Sequence, residues 1–167
     1  MANKIIRTGI KATTCKTNAD VAAFAESWAM AKLDNNEWTH AAHLVVGTWF
    51  LHTEGDHLNA LNAMRPRIFA YNKANGQVNS ETDGYHETVT DFMLRAQDYV
   101  LDQLPDDTEL IDKVNAVLAS DLSYSKFPFF FYTHDHLLSV EARKGWVEPN
   151  LRPLSDFPKM IKVRAGI

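Results

Sequence analysis

From Asn18 to Leu118 the apolar residues return at intervals of three and four, and no stretch of useful length alternates apolar with polar. An interval of three or four puts side chains on one face of an α-helix, whereas a half-buried strand needs alternation. A chain patterned this way has helical faces to bury and no sheet to build. The expected fold is all-α: a single-domain helical bundle of about five main helices over residues 1–167. A loose N-terminal arm is expected over 1–18, and an extended, Pro-rich C-terminal tail over 148–167.

The stripes delimit the helices. Asn18 or Asp20 caps a first helix reaching about Leu33, with Val21, Phe24, Ala25 and Trp28 inward. The run DNNE at 34–37 breaks it. Thr39 caps a second helix to about His52, whose inward stripe is His40, His43, Leu44, Gly47, Phe50 and Leu51. A third carries Leu58, Leu61, Met64 or Arg65, Ile68 and Phe69, with Pro66 expected to kink or interrupt it. A polar loop rich in Asn and Gly, residues 72–84, leads to a fourth helix with His86, Val89, Met93, Ala96 and Val100 on one side. A fifth runs over about 108–119. Beyond Asp121, KFPFFFYTHDHLL and SVEARKG read as short helical pieces, with Ser139 a cap and Gly145 a stop. Pro149, Pro153 and Pro158 favour an extended tail.

Composition narrows the function classes. With 167 residues, 46% of them hydrophobic and 23% charged, the chain is long enough for one core and has ordinary globular make-up. A net charge of −4 gives no general attraction to nucleic acid. No apolar run approaches the ~18 residues that span a bilayer. Cys15 stands alone, so it forms no intramolecular disulfide, and it lies in a basic stretch without a catalytic motif around it. Residues 1–18 carry Lys4, Arg7, Lys11 and Lys16 and no acid, but not the apolar region of a secretion signal. The expectation is a cytoplasmic protein that engages neither nucleic acid nor membrane; base rates favour a homodimer.

The chemistry lies in the histidines, of which there are seven. His52 and His57 flank a turn, and His134 and His136, two apart, point to different faces. His40 and His43 are three apart and share the face of Leu44 and Gly47, and His86 opens another helix on its apolar side. Two imidazoles at i and i+3 with a third from a neighbouring helix make an N₃ set suited to a divalent ion. Glu87 beside His86 is then a fourth ligand or a general base, and Asp91 a partner behind it. The bland alternative is that all three imidazoles cap, pack or bond backbone carbonyls. Helix N-termini disfavour protonated imidazole, so His40 and His86 should tend to neutrality in either case. Arg65, Arg67 and Arg95 could hold an anion, but on helix surfaces they are expected to be solvated.

The segments WTHAAH, GYHETVTDF and LLSVEARKGWVEPNLRPL, spread over roughly residues 36–153, resemble a family of small bacterial helical proteins. That family combines an aromatic-x-His-x-x-His segment, a YHET-x-T segment and a closing S-x-E-A-R-x-G-W segment. The match falls on His40, His43, Tyr85, His86, Glu87, Thr88, Thr90, Ser139, Glu141, Ala142, Arg143 and Gly145 and passes over His134 and His136. The resemblance implies a helical domain of enzyme size with a His-rich centre and no particular reaction. Tyr85, Thr90, Ser139 and Arg143 become expected pocket residues, the last two closing it from the C-terminal segment.

Two functions are expected from different classes. One is a small metal-dependent enzyme, hydrolase or oxygenase, with His40, His43 and His86 on one ion and Glu87 as ligand or base. Zinc is the first choice of ion and iron or manganese the second. The other is a metal-free domain that binds a small ligand, or regulates, with the same histidines. Both take a small molecule as partner.

Overall fold

The computed structural model describes residues 12–164; the basic arm read from 1–18 lies mostly outside them. Among the described residues the chain is helical, and the one bridge joins Ser120 to Val163 outside any strand. The long helices are α1 (Asn18–Ala29), α2 (His40–Glu54), α3 (His57–Ala74), α4 (Glu87–Asp102) and α5 (Leu110–Leu118). Short helices α6 (His134–Leu137), α7 (Val140–Lys144) and α8 (Phe157–Met160) follow, with 3-10 turns between. No described helix is long and apolar enough to cross a membrane.

Polar N-cap side chains start α1 to α4 where the first N–H groups lack partners, and on α5 Asn18 of α1 takes that place by accepting from Ile111 N at 2.8 Å. Thr17 and Asp20 form a reciprocal capping box on α1, so the N-cap is Thr17, one residue before Asn18, and Asp20 takes part as the third helical residue. Thr39 accepts from Ala42 N at 3.2 Å on α2, and Asp56 from Asn59 N at 2.8 Å on α3. α1 stops at Ala29 rather than Leu33. Ala31 adopts a left-handed φ of 56°, and Lys32 N reaches back to Ser27 O at 2.8 Å while Ala31 N bonds Trp28 O at 2.8 Å. That is a Schellman ending with alanine where glycine is the unstrained choice. α2 ends on Gly55 at φ 94°.

α2 packs against α1, α3, α4 and α5, so it is the central helix and is buried nearly all round. Val21, Phe24, Ala25 and Trp28 of α1 are fully buried against it, as their stripe predicts. α3 runs unbroken through Pro66, whose exposed position leaves the freed carbonyl of the preceding turn open to water. Its buried residues include Leu61, Met64 and Tyr71, whereas Leu58 and Phe69 of the expected stripe stay exposed. A second cluster wraps the C-terminal segment onto α4 through Phe92, Phe127, Phe131, Tyr132 and Phe157. The tail is not extended throughout: Leu154–Asp156 forms a 3-10 turn and α8 follows, with Pro158 near its start, where a missing N–H costs nothing.

Candidate functional site

The first two turns of α2, the second half of α3 and the early turns of α4 line a half-open cavity of about 450 Å³, bordered by the 77–86 loop and by Ser125 and Pro128. Its walls are mostly apolar, from Leu44, Met64, Ile68, Val89, Met93 and Leu94. Among the described residues that line it, none is an aspartate, glutamate, lysine or arginine. Gly47 makes room where α2 meets α4: a Cβ there would stand 2.8 Å from both the Nε2 and the Oε1 of Gln97. Gln97 cannot simply swing away. It is 2% exposed, its Oε1 accepts from Thr48 Oγ1 at 3.2 Å, and its Nε2 donates to Met93 O at 3.2 Å.

His40, His43 and His86 all line this one cavity, so the inward faces read from sequence bring them to the same place. Their nitrogens, however, are spoken for separately. The Nε2–H of His40 donates to Leu122 O at 2.7 Å. His86 is the N-cap of α4: its Nδ1 accepts from Val89 N at 3.2 Å and its Nε2–H donates to Leu137 O at 2.8 Å. Both ring nitrogens of His86 are thus used, and no lone pair is left for an ion. Among the described residues no group of three or more His, Cys, Asp or Glu side chains is arranged to hold a metal ion, so the expected three-histidine set is not assembled.

His43 differs from the other two. Its Nδ1 lies 2.6 Å from Thr39 O, and a carbonyl only accepts, so that nitrogen carries the hydrogen. The ring lies face to face on Trp38, centroids 3.8 Å apart, and Trp38 in turn stacks on Trp28 at 4.9 Å. Nε2 takes no hydrogen bond among the described residues. His43 keeps exposed surface and also lines the cavity, with protein packed around it at the longer range over which charge is desolvated. Burial therefore pushes the imidazole down to about 4, against the pull of the Thr39 carbonyl, and neighbouring His40 adds to the fall. Burial also pushes His86 below its ordinary value.

The sign of the resulting pH dependence follows. Between 6.5 and about 4 the unfolded chain binds a proton at His43 that the native state refuses. The stability this side chain contributes is whole above pH 6.5 and is lost as pH falls toward 4. Melting temperatures of the wild type and His43→Phe at pH 7 and pH 4.5 measure it. The wild type should lose more on acidification than the variant, and equal losses would remove the desolvated ring from the account.

Glu87 does not line the cavity. Its carboxylate faces a neighbouring groove, where Arg65 grips it from Nε at 3.0 Å and Nη2 at 2.6 Å and the Tyr85 hydroxyl donates to it. Burial raises the carboxyl, but the hydrogen bonds from Arg65 and Tyr85 and the Arg65 charge outweigh it and hold it below its ordinary range. A carboxylate so engaged is a poor base and has no oxygen turned to the imidazoles. Arg65 is accordingly no solvated arginine. Nor is Arg95, which pairs with Asp91 at 2.9 Å and lies over Trp146 at 4.3 Å.

Of the expected pocket residues, Tyr85 and Thr90 line the cavity, and Ser139 and Arg143 do not. Ser139 caps α7, accepting from Ala142 N at 3.1 Å. Arg143 donates to the carbonyls of Gly84 and Tyr85 at 3.0 and 3.2 Å, and Thr88 Oγ1 donates to Gly145 O at 2.8 Å and accepts from Val147 N at 3.1 Å. The YHET and SVEARKG segments therefore meet as a clasp that fastens the C-terminal segment to α4. Sequence reasoning missed Trp38 and Gln97 as cavity residues. The signal for Gln97 was present in Gly47, an unfilled position on an otherwise packed stripe. No family model, no curated protein and no solved structure matches this chain.

Proposed function

We propose that the protein binds a small molecule in the cavity between α2, α3 and α4, without a metal ion. The observation that carries this reading is the unpartnered Nε2 of His43 on the wall of a largely apolar cavity of about 450 Å³. Concave, mainly apolar pockets of this size with few polar groups are where proteins hold small ligands. Binding fits better than acid–base catalysis. A ring with a pKa of about 4 is a weak base at neutral pH, and Glu87 is turned away into its pairing with Arg65. The metal-dependent reading asks more: His86 would have to release both its cap on α4 and its bond to Leu137.

The test is a thermal-shift screen of neutral aromatic fragments on the full-length, untagged chain, with Ile68→Trp, a larger side chain at a half-buried position of the wall, as the cavity-blocked control. Elemental analysis runs on the same samples. Binding predicts fragments that raise Tm in the wild type and not in the control, since a ligand of the native state stabilises by mass action. A full equivalent of zinc, iron or manganese that is lost in His43→Ala would overturn it in favour of the metal-dependent enzyme.

A further inference from the structure

The cavity wall carries possible donors in Trp38, Asn72, Gln77 and Ser125, but at His43 it offers an acceptor alone. Thr90, which lines the cavity, has its hydroxyl hydrogen donated to His86 O at 2.8 Å, so its oxygen is left as an acceptor. Gln97 has both ends of its amide committed within the protein. His43 has its hydrogen tied to Thr39 O, so its other ring nitrogen presents a lone pair and nothing to give. A ligand group seated there must bring its own hydrogen. The lining also carries no aspartate, glutamate, lysine or arginine among the described residues, so a charged ligand would lose its water without gaining a counter-ion from them.

Resting on the binding reading above, we propose that the ligand is a neutral, largely apolar molecule that donates one hydrogen bond, from a hydroxyl or a ring N–H, to Nε2 of His43. The ring is held for that task from two sides. Its stack on Trp38 fixes the plane and the Thr39 carbonyl fixes the tautomer, so little freedom is lost when the ligand arrives. Gly47 lets the Gln97 amide lie against α2, where any Cβ would collide with it.

Three matched probes test this on the full chain by NMR titration near neutral pH: 4-propylphenol, its methyl ether 4-propylanisole, and 4-propylbenzoate. They share one apolar body and differ in offering a donor, no donor, and a negative charge. The phenol should bind about tenfold tighter than the ether, the worth of one hydrogen bond that would otherwise be unmade, and the benzoate weakest of the three. His43→Phe keeps a ring on Trp38 and should reduce the phenol's preference to about twofold or less. The ¹⁵N resonance of His43 Nε2 in the wild type should move with the phenol and stay with the ether, a readout that needs no variant to fold. An ether that binds as well as the phenol, a preference that survives His43→Phe, or a benzoate that binds tightest overturns the donor assignment and leaves the cavity reading standing. Failure of all three probes to bind overturns the cavity reading and this one with it.

Discussion

Thr88→Val is expected to lower the stability of the protein by about 2–4 kcal/mol, although the two side chains are nearly the same shape. Thr88 is fully buried in the first turn of α4, and its hydroxyl serves two backbone groups of the C-terminal segment, Gly145 O and Val147 N. Valine leaves a carbonyl and an N–H of two half-buried residues without the partner they have in the wild type. Each such group costs roughly 1–3 kcal/mol. For a chain of this length the melting temperature should fall by roughly 5–12 °C. Limited proteolysis should show the first cuts moving into the segment after Gly145. Thr88→Ser, which keeps the hydroxyl, should recover most of the loss. A valine variant that melts with the wild type would show that this clasp does not hold the segment down.

The second large effect concerns Arg65 and Glu87. Arg65→Met strands a carboxylate that is 14% exposed, with only the Tyr85 hydroxyl left on it. The loss should be about 1.5–3 kcal/mol, below that for a fully buried pair because the Arg65 side chain is itself 35% exposed. Glu87→Gln, which keeps groups able to bond, should cost less. The pH dependence identifies the cause. The carboxyl of Glu87 is held below its ordinary 4.5, so its contribution is present above that pH and is lost as the pH falls through the lowered value. The gap between wild type and Arg65→Met should therefore be widest at neutral pH and close in acid. A gap independent of pH between 3 and 7 would mean that lost packing by the arginine stem, and not charge, accounts for the effect.

The fold was legible in the sequence where one helix face did one job. Val21, Phe24, Ala25 and Trp28 recur at the helical interval and are all fully buried, because α1 lies on the outside of the bundle and has a single inward side. α2 shows the limit of the method. Its stripe is real, but so many neighbours surround the helix that Val45, Val46 and Thr48 off the stripe are buried too. On α3, Leu58 and Phe69 fit the interval and remain exposed, since periodicity says which residues share a face and not how far the neighbouring helices reach along it. At the site, spacing brought His40, His43 and His86 to one cavity. It could not say that the partners of their nitrogens would be carbonyls of residues 39, 122 and 137, because two of those bonds depend on where the C-terminal segment lies. The pairing of Glu87 with Arg65, 22 residues away on another helix, was hidden for the same reason.

The column of rings at the cavity's edge has an optical consequence. Trp38 is sandwiched between Trp28 and the imidazole of His43, within 5 Å of each. Indole emission responds to the polarity and charge of what touches it, and a protonated imidazole quenches it where a neutral one does not. Trp38 therefore lies one ring away from the nitrogen on which an occupant would hang, and its brightness is coupled to that nitrogen's surroundings. The other three tryptophans supply a background that a Trp38→Phe sample subtracts. Filling, emptying or acidifying the cavity can then be followed in real time by the light the protein itself emits, with no dye attached.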